Sequence, residues 1–558
     1  YAGAYYPTVR LDYQITPKLA WRGTWNLRHN QWDGEPLYPG LASKADRRLW
    51  ANEANATIYI ASTGLEWTIT PNILNTFTFG VQSNLENFNQ HATPFIWRDL
   101  GIPRIALPLI THPIPTGLPF PRNNPVYSLS DTLNWVRGKH TFTFGTSVLR
   151  TSMYETAYGS AGVPIYNLGV VAADPVTSVL SGSNLPMIRS SDLSMAWSLY
   201  ALLTGRLSSI TGSRNVDERT KQYRDFAPVI RRQAFSTGGV YFQDSYRVTP
   251  SLTLNYGFRW EISGTHTNTN GIYTDPGFEH LMGPSRQLFR PGVLDGVSAP
   301  QIFQRSKSYR SDKVNPAPNF GFAWNPAFQN GILSKLFGAD RQTVIRAAYG
   351  INYYDEGMNM LQFSVGNNPG LTQSFVLQPG MPGFAPGELS LTRALTSPLP
   401  PFAVNPPAFT FPMPQSLFTF VSGLASFKPF MHTPYVQNWT LGIQRELTSN
   451  TVLEVRYVGN KSTHIWRTYP LSETNIFENG FLQEFLNAQR NLTINQAAGV
   501  NSFANRGLPG QVPLPIFEAA FGARGSQPAL PAGSGFANGT FINHLRQGTV
   551  GALANTLA

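Results

Sequence analysis

Residues 242–261 read FQDSYRVTPSLTLNYGFRWE, two runs of strict alternation joined at Thr249-Pro250-Ser251. Side chains alternate across a strand with period two, so each run has an apolar face and a polar face. Phe242, Tyr246 and Val248, with Val240 just upstream, share the apolar face; Leu252, Leu254, Tyr256, Phe258 and Trp260 continue it after the turn. The opposite face carries Gln243, Ser245, Arg247, Thr253, Asn255, Arg259 and Glu261. A soluble sandwich turns its apolar face inward, whereas a barrel that crosses a bilayer turns it outward. The remaining sequence has to decide between them.

The pattern recurs. TVRLDYQITPKLAWRGTWNL (8–27) turns at Thr16-Pro17-Lys18, ATIYIASTGLEWTITPNILNTFTFGVQ (56–82) at Thr70-Pro71-Asn72, and VYSLSDTLNWVRGKHTFTFGTSVL (126–149) at Arg137-Gly138-Lys139. NFGFAW (319–324) and TVIRAAYGINYY (343–354) are joined by a longer connection, and YVQNWTLGIQRELTSNTVLEVRYVG (435–459) turns around Thr448-Ser449-Asn450. Phe142, Phe144 and Val148 alternate with small polar residues, and Tyr349 and Ile351 alternate with Arg346, Gly350 and Asn352. Proline and glycine sit at the turns and seldom inside the runs, as strands require. The expectation is about a dozen strands of nine to twelve residues in six hairpins, close to the length a tilted strand needs to cross a bilayer. Connections within hairpins are short, whereas those between hairpins (31–55, 86–125, 156–239, 266–318, 355–432 and everything after 466) are long. That asymmetry belongs to an all-β antiparallel transmembrane barrel with short periplasmic turns and long extracellular loops. On this reading Phe142, Phe144, Val240, Phe242, Tyr246, Leu252, Leu254, Tyr256, Phe258, Trp260, Tyr349 and Ile351 face lipid. Gln243, Arg247, Asn255, Arg259, Glu261 and Arg346 face the lumen.

Composition agrees. Charged residues make up 13% of the 558, about half the usual share for soluble proteins. Aromatics also reach 13%, and no run of eighteen apolar residues exists to cross a membrane as a helix. The net charge is +11, but the basic residues are scattered, so no nucleic-acid partner is expected. The absence of cysteine excludes a disulfide framework and thiol chemistry. Within the long connections DLSMAWSLYALLTG (192–205) reads as a short helix after a Ser-Asp cap. NIFENGFLQEFLNAQRNL (475–492) reads as an amphipathic helix with Phe481, Leu482, Phe485, Leu486 and Leu492 on one side, and both are expected to pack on a barrel rim.

Chemistry-bearing motifs are few. HExxH, Walker A, GxSxG and dinucleotide glycine patterns do not occur, so no enzyme and no cofactor are expected. His266, Asp275, Glu279 and His280 are a weak metal-ligand candidate in one connection. Asp244 is a carboxylate in the apolar register, which requires either a bulge or a place at the membrane interface. Arg247, Arg259, Glu261, Arg346, Glu446, Glu454 and Arg456 are candidates for ion-pair ladders inside the barrel. Trp21, Trp25, Trp67, Trp135, Trp260 and Trp439 are candidates for aromatic girdles.

YFQDSYRVTPSLTLNYGFRWE, WVRGKHTFTFGTSVLR, VIRAAYGINYYDE and PYVQNWTLGIQRELTSNTVLEVRYVGNKSTHIW together resemble TonB-dependent outer-membrane receptors, most closely the Oar-like subgroup. NIFENGFLQEFLNAQRNLTINQA is similar to a loop of that subgroup. The resemblance implies part of a 22-stranded barrel, filled by a separate plug, with transport driven by TonB. The sequence departs from that pattern in that nothing in it reads as a plug or TonB box, so 1–558 is expected to be one receptor barrel domain, incomplete at both ends. The implied partners are outer-membrane lipid and lipopolysaccharide, the TonB complex through the plug and TonB box, the barrel assembly machinery, and an extracellular ligand. The alternative is a non-transporting surface or adhesion barrel that displays its long loops.

Overall fold

The computed structural model describes residues 2–32, 53–89, 103–110, 120–157, 164–283, 295–338, 341–381, 384–397, 408–418, 423–471, 476–477, 479–521 and 535–557. The chain divides into two compact units, residues 1–281 with 301–466, and residues 282–300 with 467–558.

The first unit is organised around one antiparallel sheet. Its long strands are β1 (Thr8–Thr16), β2 (Leu19–Trp32), β3 (Glu53–Thr70), β4 (Ile73–Asn89), β5 (Val126–Arg137) and β6 (His140–Ala157). They continue with β7 (Val229–Thr249), β8 (Leu252–Ser263), β9 (Asp312–Trp324), β10 (Thr343–Tyr353), β11 (Tyr435–Thr448) and β12 (Thr451–Thr463). Each pairs with its neighbours in chain order, and among the described residues β1 and β12 are the outer long strands. The expected twelve strands in six hairpins are therefore present. Eight of them are longer than the expected nine to twelve residues, β7 reaching 21 because its connection-side end stays paired after the alternation has dissolved.

Turn chemistry explains the hairpin positions. Thr16, Thr70, Thr249 and Thr448 each accept a hydrogen bond on Oγ1 from the backbone N–H two residues on. The hydroxyl closes the turn locally, and each of these hairpins carries a register shift just before its threonine. Arg137-Gly138-Lys139 closes differently: Gly138 sits at φ +59°, the left-handed conformation that a side chain would oppose.

Two further pieces of the first unit lie among the long connections. Leu207–Val216 pairs with Ile165–Leu168, Tyr223–Asp225 and Thr372–Leu377 in a small second sheet. Helix α1 (Ser190–Thr204) covers the first expected helix but starts two residues early, behind Arg189 rather than a Ser-Asp cap, and ends at Gly205 in the left-handed conformation.

The second unit contains helices α3 (Phe481–Ala497), α4 (Pro515–Phe521), α5 (Gly539–Gln547) and α6 (Val550–Leu557). Helix α2 (Ile332–Phe337) belongs to the first unit. Phe481, Phe485, Ala488, Leu492, Phe503 and Phe517 build the core of the second unit. The apolar stripe of α3 differs from the expected one, since Leu486 is exposed and the buried stripe includes Glu484, Asn491 and Asn495. These polar residues stay buried because the connections satisfy them. Asn491 exchanges hydrogen bonds with the Val512 backbone, and Glu484 accepts from the N–H of Phe517.

Among the described residues no helix is long and apolar enough to cross a membrane, which leaves open a crossing by strands.

Candidate functional site: two faces of the sheet and a packed cap

Register assigns every long-strand residue to a face, because directly paired residues point the same way. Val240 pairs with Trp260, Phe242 with Phe258, Tyr246 with Leu254, and Tyr256 with Phe320. Phe144 pairs with Phe242, Phe142 with Asp244, Leu252 with Trp324, and Tyr349 with Trp439; Ile351, two residues beyond Tyr349, points the same way. The twelve apolar positions expected to share a face do share one. It extends to Tyr13 opposite Trp21 and to Leu441 opposite Tyr457. The face is bare in the chain alone: Val240 is 60% exposed and Phe258 42%.

Tryptophans stand at two heights on this face. Trp21, Trp67 and Trp135 lie two or three residues from a turn, and Trp25, Trp260 and Trp439 lie six to nine residues away. The gap of about five residues is roughly 17 Å along a strand.

The opposite face is polar. Gln243 pairs with Gly257, Arg247 with Thr253, Asn255 with Ser245, Arg259 with Tyr241, Glu261 with Gly239, and Arg346 with Ala323. Arg259 donates to Glu261 at 2.5 Å and to Ser147 Oγ at 2.8 Å, and its guanidinium lies over the Tyr241 ring. Arg259 and Glu261 open onto a cleft of about 300 Å³ bordered by Asn319, Asn352, Asn438 and Thr440. Of the suggested ladder residues, Arg259–Glu261 and Arg456–Glu454 form pairs. Arg247, Arg346 and Glu446 are in no ion pair among the described residues. A chain of charges that the sequence did not suggest links Arg10, Asp12, Arg22 and Glu66 across three strands.

Asp244 remains in the apolar register. Pairing runs unbroken past it, to Phe142 on one side and Tyr256 on the other, so the bulge alternative is overturned. Its carboxylate has no exposed surface, accepts from the Tyr256 hydroxyl at 2.7 Å, and lies 2.7 Å from His140 Nδ1. The imidazole stacks on Tyr246 with ring centroids 4.1 Å apart. Both contacts fall on Oδ2 and leave Oδ1 buried without a hydrogen-bond partner; a carboxylate so held a few residues from the turn fits the interfacial alternative.

The connection-side ends of β6 to β9 lie in a packed cap. Its core joins Val216, Val229, Ile272, Tyr273, Leu361 and Phe409. Glu155, at the end of β6 and 2% exposed, accepts from Arg231 at 2.7 Å and with both oxygens from Gln362. Asn268 is a second hub: Oδ1 accepts from the N–H groups of Ile272 and Tyr273, while Nδ2 donates to the Arg232 carbonyl and to Asn270. Arg232 and Asn270 both donate to Glu218, holding its carboxyl below the usual range.

The four suggested metal ligands do not converge. His266 is buried among Phe235, Tyr309 and Trp466, and burial lowers its pKa to about 4. Asp275 accepts from Gly277 N–H and Ser426, Glu279 is exposed, and His280 accepts from Gln301 N–H beside Phe303. Among the described residues no three His, Cys, Asp or Glu side chains are grouped to hold a metal ion. His266 instead lines a small cavity with Asp312, Asp355 and Glu356. Burial raises the pKa of Asp355, which accepts a short hydrogen bond from Ser263.

An extended antiparallel sheet of membrane-length strands with one bare apolar face and one polar face is the fold of an outer-membrane β-barrel protein. Residues 5–509 match the family described as "Outer membrane beta barrel domain"; the chain belongs to that family, and its place is the bacterial outer membrane. Among solved structures it is similar to the outer membrane transporter YddB from Escherichia coli (11% identity, TM-score 0.42), covering 82% of this chain and 39% of that one. It is also similar to the copper transporter OprC (8%, TM-score 0.37, 83% and 45%) and to the siderophore receptor PirA from Acinetobacter baumannii (10%, TM-score 0.35, 83% and 43%). The chain thus spans less than half the length of these structures, and similarity of this depth carries no argument about ligand or mechanism. None of the curated proteins matches it in sequence.

Proposed function

We propose that this chain is the barrel section of a TonB-dependent receptor that takes up an extracellular ligand. The carrying observation is the sorting of twelve strands into a bare apolar face and a hydrogen-bonded polar face, with short turns at one end and a packed cap at the other. The apolar face meets lipid and the aromatic rows lie at its two borders. The polar face lines the lumen, where the Arg259–Glu261 cleft is open to a plug or a ligand. The cap stands outside the cell, where ligand arrives.

Depletion of solutes from the medium tests this reading by comparing the parent strain, a strain lacking this gene, and a strain lacking tonB. A solute depleted by the parent alone supports TonB-driven uptake through this protein. Depletion lost with the gene but kept without tonB overturns energised transport. Unchanged depletion in both deletions, together with weakened cell or surface attachment in the gene deletion, supports the adhesion barrel instead.

A further inference from the structure

The one long connection at the turn end sets itself apart. Five of the six hairpins close within a few residues, whereas β9 and β10 are joined by residues 325–342, which contain helix α2 (Ile332–Phe337). Trp324, the last residue of β9, lies on the apolar face opposite Leu252. Its ring packs on Phe328 at 6.2 Å and on Phe337 at 6.0 Å, and those two rings touch each other at 5.8 Å. This aromatic triad ties the connection to the bare face of the sheet. From β11, Arg445 donates to the carbonyls of Lys335 and Leu336, holding the end of the helix in place. Ile332 nevertheless stands 77% exposed, and Leu333 and Leu336 are exposed beside it.

We propose that this connection is an interfacial anchor: α2 seats Ile332, Leu333 and Leu336 in the phospholipid leaflet at the turn end of the sheet. The inference rests on the reading that the apolar face meets lipid. Two observations select lipid as the occupant. The exposed residues belong to the helix whose last residue, Phe337, packs with Phe328 on Trp324 of that face. Lys335 and Arg341, both exposed, flank them with cations that complement headgroup phosphates. Six residues span only about 9 Å as a helix, so α2 cannot cross the bilayer and lies in its boundary layer.

These 558 residues contain no cysteine, so each introduced thiol is unique among them and can carry an environment-sensitive fluorophore. Leu333→Cys and Ile332→Cys probe α2, Phe144→Cys probes the middle of the apolar face, and Met187→Cys, fully exposed in a long connection, is the aqueous control. The protein is reconstituted in vesicles of phosphatidylcholine and phosphatidylglycerol containing lipids with a nitroxide near the headgroup or deep in the acyl chain. The expected result is loss of most emission at both α2 sites with the shallow nitroxide, at Phe144→Cys with the deep one, and little loss at Met187→Cys. Quenching at Phe144→Cys with α2 sites as bright as Met187→Cys overturns the anchor and leaves the barrel reading standing. Quenching at none of the sites overturns both. An α2 site that is unquenched in vesicles but shielded in whole envelopes has a protein on it, which also overturns the lipid seat.

Discussion

The membrane-spanning middle of the sheet and the cap at its connection-side end are built on opposite rules, although the same strands run through both. In the middle, Phe144, Phe242 and Phe258 are exposed or half-buried, and order comes from the backbone ladder and row upon row of similar side chains. In the cap, Glu155, Gln233, Asn268 and Asn315 are almost completely buried, and order comes from individual hydrogen bonds between residues far apart in sequence. The first arrangement suits a solvent that is itself apolar and makes no specific demands. The second suits a structure that faces water, where a fixed shape needs specific partners for its buried polar groups. One substitution in the middle changes a small part of a repeated pattern, whereas one in the cap can leave a buried group with no partner.

The largest effect is therefore expected at Glu155. Glu155→Ala leaves the mostly buried Arg231 without this partner and removes both acceptors of Gln362, at a cost of about 3 kcal/mol. Limited proteolysis of intact cells should then cut the cap while the sheet remains in the membrane. Cleavage no faster than in the parent protein would mean that the cap does not depend on this hub. The middle of the sheet is tested by Phe144→Arg, which sets a charge against lipid and should lower stability by roughly 2–4 kcal/mol, read as loss of the heat-modifiable band on gels. Thr143→Arg, one residue along and on the polar face, should leave that band in place. Equal damage from both substitutions would sink the assignment of faces.

The two regions also differ in how far sequence alone could describe them. The middle was legible because its rule is local: period two fixes the face, and Thr16, Thr70, Thr249 and Thr448 mark turns within three residues of themselves. Helices α1 and α3 were found for the same reason, and Leu486 was misplaced on α3 because Asn491 and Asn495 take positions that an apolar stripe would be expected to fill. The cap was illegible because its rule is distant. Glu155 meets Gln362 across 207 positions, and nothing near either residue announces the pair. In VIRRQAFST (229–237) the alternation is lost because the cap buries Ala234 and Phe235, neighbours on opposite faces, so this paired segment reads as loop. Asp244 falls between these cases: its misfit was visible, but its partner His140 became known only from the register.

Acid should separate the regions further, through His266. Burial holds its folded-state pKa at about 4, below the ordinary 6.5. Above 6.5 neither state is protonated and folding is unaffected. As pH falls from 6.5 toward 4 the unfolded cap binds a proton that the folded cap refuses, so stability declines, by up to roughly 3 kcal/mol. The chain packs Phe235, Tyr309 and Trp466 around the imidazole, while Asp312, Asp355 and Glu356 line the same cavity. Hydrogen exchange of cap amides around residues 263–275 should accelerate over that window, and His266→Phe should flatten the response. An unchanged acid response in His266→Phe would assign the effect to the neighbouring carboxylates.

The smallest effect, and the sharpest check on the cap, belongs to Asp217. Its carboxylate accepts from the backbone N–H groups of Arg219 and Thr220, and from Thr220 Oγ1 and Arg224, within one tight turn. The backbone hydrogen bonds hold its pKa down at about 2. For an acid lowered on folding, the stabilisation is present above its ordinary value near 3.8 and disappears as pH falls through about 2. Because the side chain is partly exposed, solvent screening limits the effect to about 1 kcal/mol. The two windows hardly overlap: His266 acts between 6.5 and about 4, and Asp217 below that. Asp217→Asn keeps an acceptor for the turn but has no charge to titrate, so it should remove only the lower step in exchange at residues 217–225. If that step persists in Asp217→Asn while His266→Phe removes the upper one, the lower step comes from other carboxylates of the cap, Glu218 first among them.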